Sequence, residues 1–163
     1  MRAENRFSRM MNRVARVPGP LRTRARTLLL SRVVKFVGTA KLEIEELTAE
    51  RAVVSVKNRR IVQNHIGGVH AAAMALLAET ATGFVVGMNV PDDRVPVIKS
   101  LKVEYKKRAT GGLRAVASLT PEQIERMRTT EKGDVVVSVI VTDDANIEPI
   151  VCEMIWAWVP KKR

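Results

Sequence analysis

The stretch Asn64-His65-Ile66-Gly67-Gly68-Val69-His70-Ala71-Ala72 leads into Ala71 to Val90, twenty residues whose only charge is Glu79. A helix beginning near Ala71 would present unpaired backbone N–H groups and the positive end of its dipole, a natural place to hold a developing oxyanion. Gly67, Gly68 and the small Ala71 and Ala72 would let a substrate approach that backbone closely. The lone carboxylate of Glu79 is then the obvious general base or nucleophile. Burial would raise its pKa, and Asn64 could orient a water.

Each residue also has a plainer account. Gly67 and Gly68 can make a tight turn, Asn64 can cap one, and His70 can cap a helix or sit hydrogen-bonded in the core. Glu79 resists such treatment, because an unpaired carboxylate in an apolar helix costs stability. Lys99 or Lys102 could pair with it, and Thr80 and Thr82 could assist it or bond to the preceding turn. Nine residues along one helix separate His70 from Glu79 by about 13 Å and two and a half turns, on opposite faces. One subunit therefore cannot join them, whereas a two-fold dimer with antiparallel central helices would. Further on, Lys106, Lys107 and Arg108 end a predicted strand before Gly111-Gly112, where they suit either a solvated strand end or the phosphates of a nucleotide-bearing substrate.

These residues need elements to position them. Arg2, Arg6, Arg9, Arg13 and Arg16 alternate with Phe7, Met10, Met11, Val14 and Val17 at helical spacing, giving a basic amphipathic helix that Pro18-Gly19-Pro20 ends. A second basic helix is expected from Leu21 to about Lys35. From Phe36 the period becomes that of strands: Phe36 to Leu47, Arg51 to Asn58, Val97 to Arg108, Leu113 to Leu119, Asp134 to Asp143 and Ile150 to Val159. The first two should pair as a hairpin across residues 48–50. Thr120-Pro121-Glu122-Gln123 is a capping-box start for a short helix carrying Ile124 and Met127. Two strands, a long helix and four more strands specify α+β, with residues 1–35 as a basic helical extension and 36–160 as a single domain. Ala71 to Val90 is long enough to span a bilayer, but five Ala in its first eight residues, its mid-segment carboxylate and the surrounding strands argue for a helix buried in a soluble domain.

At 163 residues the chain has the length of one domain, and its net charge of +11 invites a nucleic-acid or anionic-membrane reading. Residues 1–35 hold ten Arg or Lys against one acid, however, and residues 36–163 hold eighteen against sixteen. The main domain is close to neutral, and 4% aromatic residues are too few for a base-stacking platform, so no nucleic acid is expected as a partner. One cysteine, Cys152, and two histidines exclude an intrachain disulfide and leave little material for a metal cluster, so no metal is expected. A cytoplasmic setting follows by default. The Arg-rich, acid-poor start also matches transit-peptide composition, which leaves organellar targeting open.

Asn64, Gly67, His70 and Glu79, with small residues after the histidine, resemble the Asn-x-x-Gly-x-x-His-Gly-Gly motif and helical carboxylate of hotdog-fold acyl-CoA thioesterases of the phenylacetic-acid-degradation type. Ser100 to Ala109 is similar to the strand that follows the helix in that family, and the similarity runs from about Phe36 to Val159. The resemblance implies a long helix wrapped by a curved antiparallel sheet of about six strands, and a homodimer or homotetramer with its active sites between subunits. It implies an acyl-CoA substrate, with coenzyme A as part of the substrate and no separate cofactor. Glu79 would be the catalytic carboxylate, Ala71 N–H the oxyanion donor, Asn64 the water-placing group and His70 the support of the helix start, with Gly67, Gly68, Lys106, Lys107 and Arg108 binding substrate. The chain departs from the family in having Ala71-Ala72 for Gly-Gly, glutamate where many members have aspartate, and Gly83 where some relatives carry a hydroxyl. Two other readings stand beside it: a hotdog acyl hydratase or dehydratase, and a non-catalytic acyl-CoA or lipid-binding module docked on membrane through residues 1–35.

Overall fold

The computed structural model describes residues 4–162. Helix α1 (Arg6–Val14) and helix α2 (Gly19–Val33) precede a short helix α3 (Lys35–Thr39), and strands β1 (Glu43–Leu47) and β2 (Arg51–Val56) follow. A single 3₁₀ turn (Arg60–Val62) leads to the central helix α4 (Ala71–Gly87). Then come β3 (Arg94–Tyr105), β4 (Leu113–Ser118), helix α5 (Pro121–Thr129), β5 (Gly133–Asp143) and β6 (Ile150–Pro160). The strands form one antiparallel six-stranded sheet in the order β1-β2-β4-β5-β6-β3. The sheet curves around α4, which packs against β2 through β6. This is the α+β hotdog arrangement.

The core lies between α4 and the concave face of the sheet. Leu77, Ala78, Ala81 and Val85 of α4 meet alternating inward residues such as Val54, Ala115, Val137 and Met154, all fully or almost fully buried. Helix α5 starts as the capping box predicts: the Thr120 hydroxyl accepts the Gln123 N–H at 3.2 Å and the Gln123 side chain accepts the Thr120 N–H at 2.9 Å. Ile124 and Met127 are buried.

Two expectations about element boundaries are corrected. Phe36 to Leu47 is not one strand. Its first part is α3, with Val37 buried and Gly38 against Ser31 of α2; the chain turns at Lys41 (φ 52°) before β1 begins. An apolar, β-branched run has strand propensity, but packing against α2 overrides it. Strand β3 starts at Arg94 rather than Val97 and ends at Tyr105, because the Lys106 and Lys107 N–H groups turn to the Pro149 carbonyl. The three basic residues therefore lie in the loop after β3, not on the strand.

The N-terminal helices are tied to the sheet and α4. Asn5 caps α1, its carbonyl oxygen accepting the Ser8 N–H at 2.7 Å, while its amide donates to the Gly87 and Val90 carbonyls at 2.8 and 2.6 Å. Phe7 meets Phe84 with ring centroids 6.1 Å apart, Met11 is buried, and Arg6 and Arg9 face Asp92. The apolar face of this basic helix is thus spent on the end of α4. Helix α2 closes the β1 edge: the Ile44 N–H donates to the Thr27 hydroxyl, and the buried Arg26 guanidinium donates to the Ile44 and Glu45 carbonyls. At the opposite edge nothing among the described residues pairs with the outer side of β3. Asn5→Ala should destabilise the protein by about 1–2 kcal/mol in chemical denaturation, since it removes a cap and leaves two helix-end carbonyls without donors. An unchanged midpoint would show that α1 is not held this way.

Candidate active site

The approach to α4 is a closed loop. Gln63 and Val69 form a bridge across it, the Asn64 N–H donates to the Gly68 carbonyl at 2.9 Å, and the Asn64 side-chain oxygen accepts from the Ile66 and Gly68 N–H groups, each at 3.1 Å. Gly67 adopts φ +75°, which a side chain would strain; Gly68 has room for a Cβ, with only the Asn64 side chain near it, at 3.9 Å. The Asn64 oxygen is therefore committed to shaping the loop, and its amide nitrogen alone is left to meet a ligand. Arg108 joins the construction by donating to the Ile66 carbonyl at 3.2 Å. Lys106 pairs with Glu104, and Lys107 has no ion-pair partner among the described residues.

His70 is the N-cap of α4, its Nδ1 accepting the Ala72 N–H at 3.0 Å. Its carbonyl accepts from Ala73 and Met74, so the exposed Ala71 N–H is the helix-start donor with no partner among the described residues. Beside it the Tyr105 hydroxyl donates to the Ala71 carbonyl at 2.8 Å, clamping the end of β3 onto the first turn of α4. Sequence reasoning did not single out Tyr105. The only signal available for it was its status as the one tyrosine, next to the basic triplet.

Glu79 lies half-buried two turns further along α4, in a cleft of about 150 Å³ walled by Val34, Val37, Phe84 and Trp156. Neither candidate lysine reaches it: Lys99 pairs with Asp134 and Lys102 with Glu104. No cation pairs with Glu79 among the described residues. Burial pushes its carboxyl above the usual carboxylate range, with the neighbouring Thr80 hydroxyl pulling weakly the other way. That hydroxyl is itself buried and makes no well-formed hydrogen bond. Thr82 instead reaches back to the Ala78 and Glu79 carbonyls and accepts the Trp156 indole N–H at 2.9 Å. The indole lies where a Gly83 side chain would be, 2.6 Å from an added Cβ, which explains glycine at this position.

His70 and Glu79 do not share a cleft. His70 borders a second cleft of about 200 Å³ with Phe36, Ile61, Ala72 and Leu76. As an N-cap with extended backbone (φ −65°, ψ 143°), His70 does not follow the helical rotation that would set it on the face opposite Glu79. Ala72, Leu76, Glu79 and Gly83 form one stripe of α4, and α3 borders both clefts along it. Cys152 is no rival nucleophile, since burial pushes its thiol up to about 11.

A family model for a domain of unknown function, DUF4442, matches residues 22–159. The chain belongs to the DUF4442 family. None of the curated proteins matches it in sequence. In structure this DUF4442 protein is similar to a Pseudomonas aeruginosa protein of unknown function named as a probable thioesterase, at 22% identity, 85% of this chain, 96% of that one and TM-score 0.76. A thioesterase from Haemophilus influenzae aligns at 13% identity over 80% of this chain and 88% of that one, TM-score 0.65. A mutant thioesterase from Pseudomonas aeruginosa aligns at 16% identity over 83% and 94%, TM-score 0.68. The DUF4442 match begins within α2 and ends within β6. No described helix is long and apolar enough to cross a membrane.

The charge of Glu79 has a consequence for stability. Its folded-state pKa is raised, so the charged carboxylate weakens the fold above that pKa, and the penalty vanishes below the unfolded carboxylate pKa. Glu79→Gln should therefore melt higher than wild type at pH 8, and the difference should shrink as pH falls through the raised pKa toward 4. A pH-independent difference in melting temperature would contradict the burial argument.

Proposed function

We propose that this protein hydrolyses acyl-CoA thioesters at sites shared between two copies of the chain. The observation that carries the reading is a half-buried carboxylate, Glu79, with no cation partner among the described residues, on the same helix whose first N–H is likewise unpartnered among them. Resemblance to proteins named as thioesterases supports the reaction class. In the reaction Glu79 acts on the acyl carbon, either directly as nucleophile or as base on a water. In the base route the water oxygen bonds to the acyl carbon, Glu79 takes the proton, and the carbonyl oxygen gains negative charge that the Ala71 N–H meets. The C–S bond then breaks, the thiolate receives the proton, and a carboxylic acid and free coenzyme A leave.

His70 serves by taking the Ala72 N–H, which leaves that of Ala71 as the free donor. Asn64 shapes the loop through its oxygen and offers its amide to the water. Lys107 and Arg108, beside Lys106, give a coenzyme phosphate positive charge next to the helix start. The separation of His70 and Glu79 into two clefts supports a site completed by a second copy. So does β3, a twelve-residue edge strand whose inward Leu101 and Tyr105 remain 45% and 50% exposed. Such an edge is a template for pairing with its own copy across a two-fold axis.

Purified protein should release free thiol from at least one member of a short-, medium-, long-chain and aryl acyl-CoA panel. Glu79→Gln should lower kcat at least about 100-fold while far-UV circular dichroism is retained. The acid limb of kcat/KM in the wild type should lie above the ordinary carboxylate range, following the raised Glu79 pKa. Undiminished turnover by the variant would refute the mechanism. Hydration of crotonyl-CoA without thiol release would favour the hydratase reading, and a monomer by light scattering would remove the shared site.

A further inference from the structure

We infer that the outward face of α2 and α3 is a docking surface for an anionic lipid bilayer. Between Glu4 and Glu43 the chain carries ten Arg or Lys and no acid, and the structure divides these basic residues into two kinds. Arg22 and Arg26 turn inward and donate to backbone carbonyls, of Val17 and of Ile44 and Glu45. Arg24, Arg32 and Lys35 are exposed and pair with no acid among the described residues. At 100° per residue, positions 21, 24, 28 and 32 fall on one stripe of α2, and Lys35 opens α3 just beyond its end. Leu21 and Leu28 alternate with Arg24 and Arg32 along it, 54% and 55% exposed, and Phe36, the residue after Lys35 in α3, is 61% exposed.

An unpartnered cationic stripe would be accounted for by solvent. Interleaved aliphatic and aromatic side chains of this exposure are not, because water gains nothing from them. A helix lying in the plane of a bilayer accounts for both, with Leu21, Leu28 and Phe36 entering the acyl boundary and the long basic side chains reaching up to anionic headgroups. A second copy seated here across a two-fold axis would bring Arg24, Arg32 and Lys35 against themselves. A nucleic acid would satisfy the cations and leave the aliphatic residues without a role. Beside α2 runs a groove of about 650 Å³ bordered by Arg24, Lys41, Lys57 and Arg59; its one acid, Glu43, already holds Lys57 at 2.9 Å and Arg59 at 3.2 Å. Arg24 and Lys41 are left there for headgroup phosphates. The docking holds whether or not Glu79 hydrolyses a thioester, although Val34 and Phe36 also border the two clefts along α4.

The test is flotation of the full chain with vesicles of phosphatidylcholine alone and of phosphatidylcholine with phosphatidylglycerol. Binding should require the anionic lipid and weaken with salt. Arg24→Glu/Arg32→Glu should reduce partitioning roughly tenfold or more. The control Lys132→Glu/Lys162→Glu, which makes the same change in net charge at exposed positions elsewhere, should alter it less than about twofold. Leu28→Ser/Phe36→Ser, with charge intact, should also reduce it severalfold. The proposal fails if the vesicles are not bound, if both charge-reversal pairs act equally, or if the Leu28/Phe36 pair has no effect. It also fails if Arg24→Glu/Arg32→Glu shifts the oligomeric state, or if a DNA duplex binds as tightly as the vesicles and survives the Leu28/Phe36 change.

Discussion

Helix α4 is apolar around almost its whole circumference, and a helix of that kind must be buried on every side. The sheet can cover only the part of it that lies in its concavity. The remaining cover comes from elsewhere: α1 across the C-terminal end through Asn5, Phe7 and Met11, and the α2–α3 junction along one flank through Val34 and Val37. What stays open is the stripe Ala72, Leu76, Glu79 and Gly83. The candidate site is thus the part of the central helix that one chain cannot cover, and its single carboxylate sits there because a charge deeper in the helix would be left without solvent or partner.

The two edges of the sheet are treated unequally. At β1 the side chains of Arg26 and Thr27 occupy the backbone groups that an incoming strand would use. At β3 twelve residues remain open, with apolar side chains on the face that α4 leaves bare. Natural sheets seldom leave so long an edge unless something pairs with it. The same N-terminal helices that close β1 also carry most of the net charge. Their arginines serve at least three ends: ion pairs with Asp92, bonds to backbone carbonyls, and an outward stripe without acids. The basicity therefore belongs to the walls and roof of the hotdog rather than to a detached tail.

Much of the fold was legible because its signals are local. The capping box of α5, the hairpin of β1 and β2, the start of α4 at Ala71 and the four later strands each rest on residues within a few positions of one another. The strand expectation at Phe36 to Leu47 erred where packing on α2 outweighed the propensity of a Phe-Val run. The basic triplet was misplaced by three residues because the Pro149 carbonyl, more than forty residues away, captures the Lys106 and Lys107 N–H groups. At the site, Glu79 stood out as the lone charge of an apolar helix, and Asn64, Gly67 and His70 by their spacing.

From its residues alone the chain determined the α+β order of elements, the single carboxylate of the central helix, the glycine-led helix start and the concentration of charge in its first thirty-five residues. These follow from periodicity, turn chemistry and counting, which need no knowledge of what is distant in sequence. Only the tertiary structure decided that Lys99 and Lys102 turn away from Glu79, that Trp156 occupies the space over Gly83, that Tyr105 and Arg108 close onto the start of α4, and that Arg26 faces inward while Arg24 faces out. Each is a contact between elements far apart in the chain, and which of several equally suitable side chains makes it depends on sheet register and helix rotation, quantities that exist only after the chain has packed.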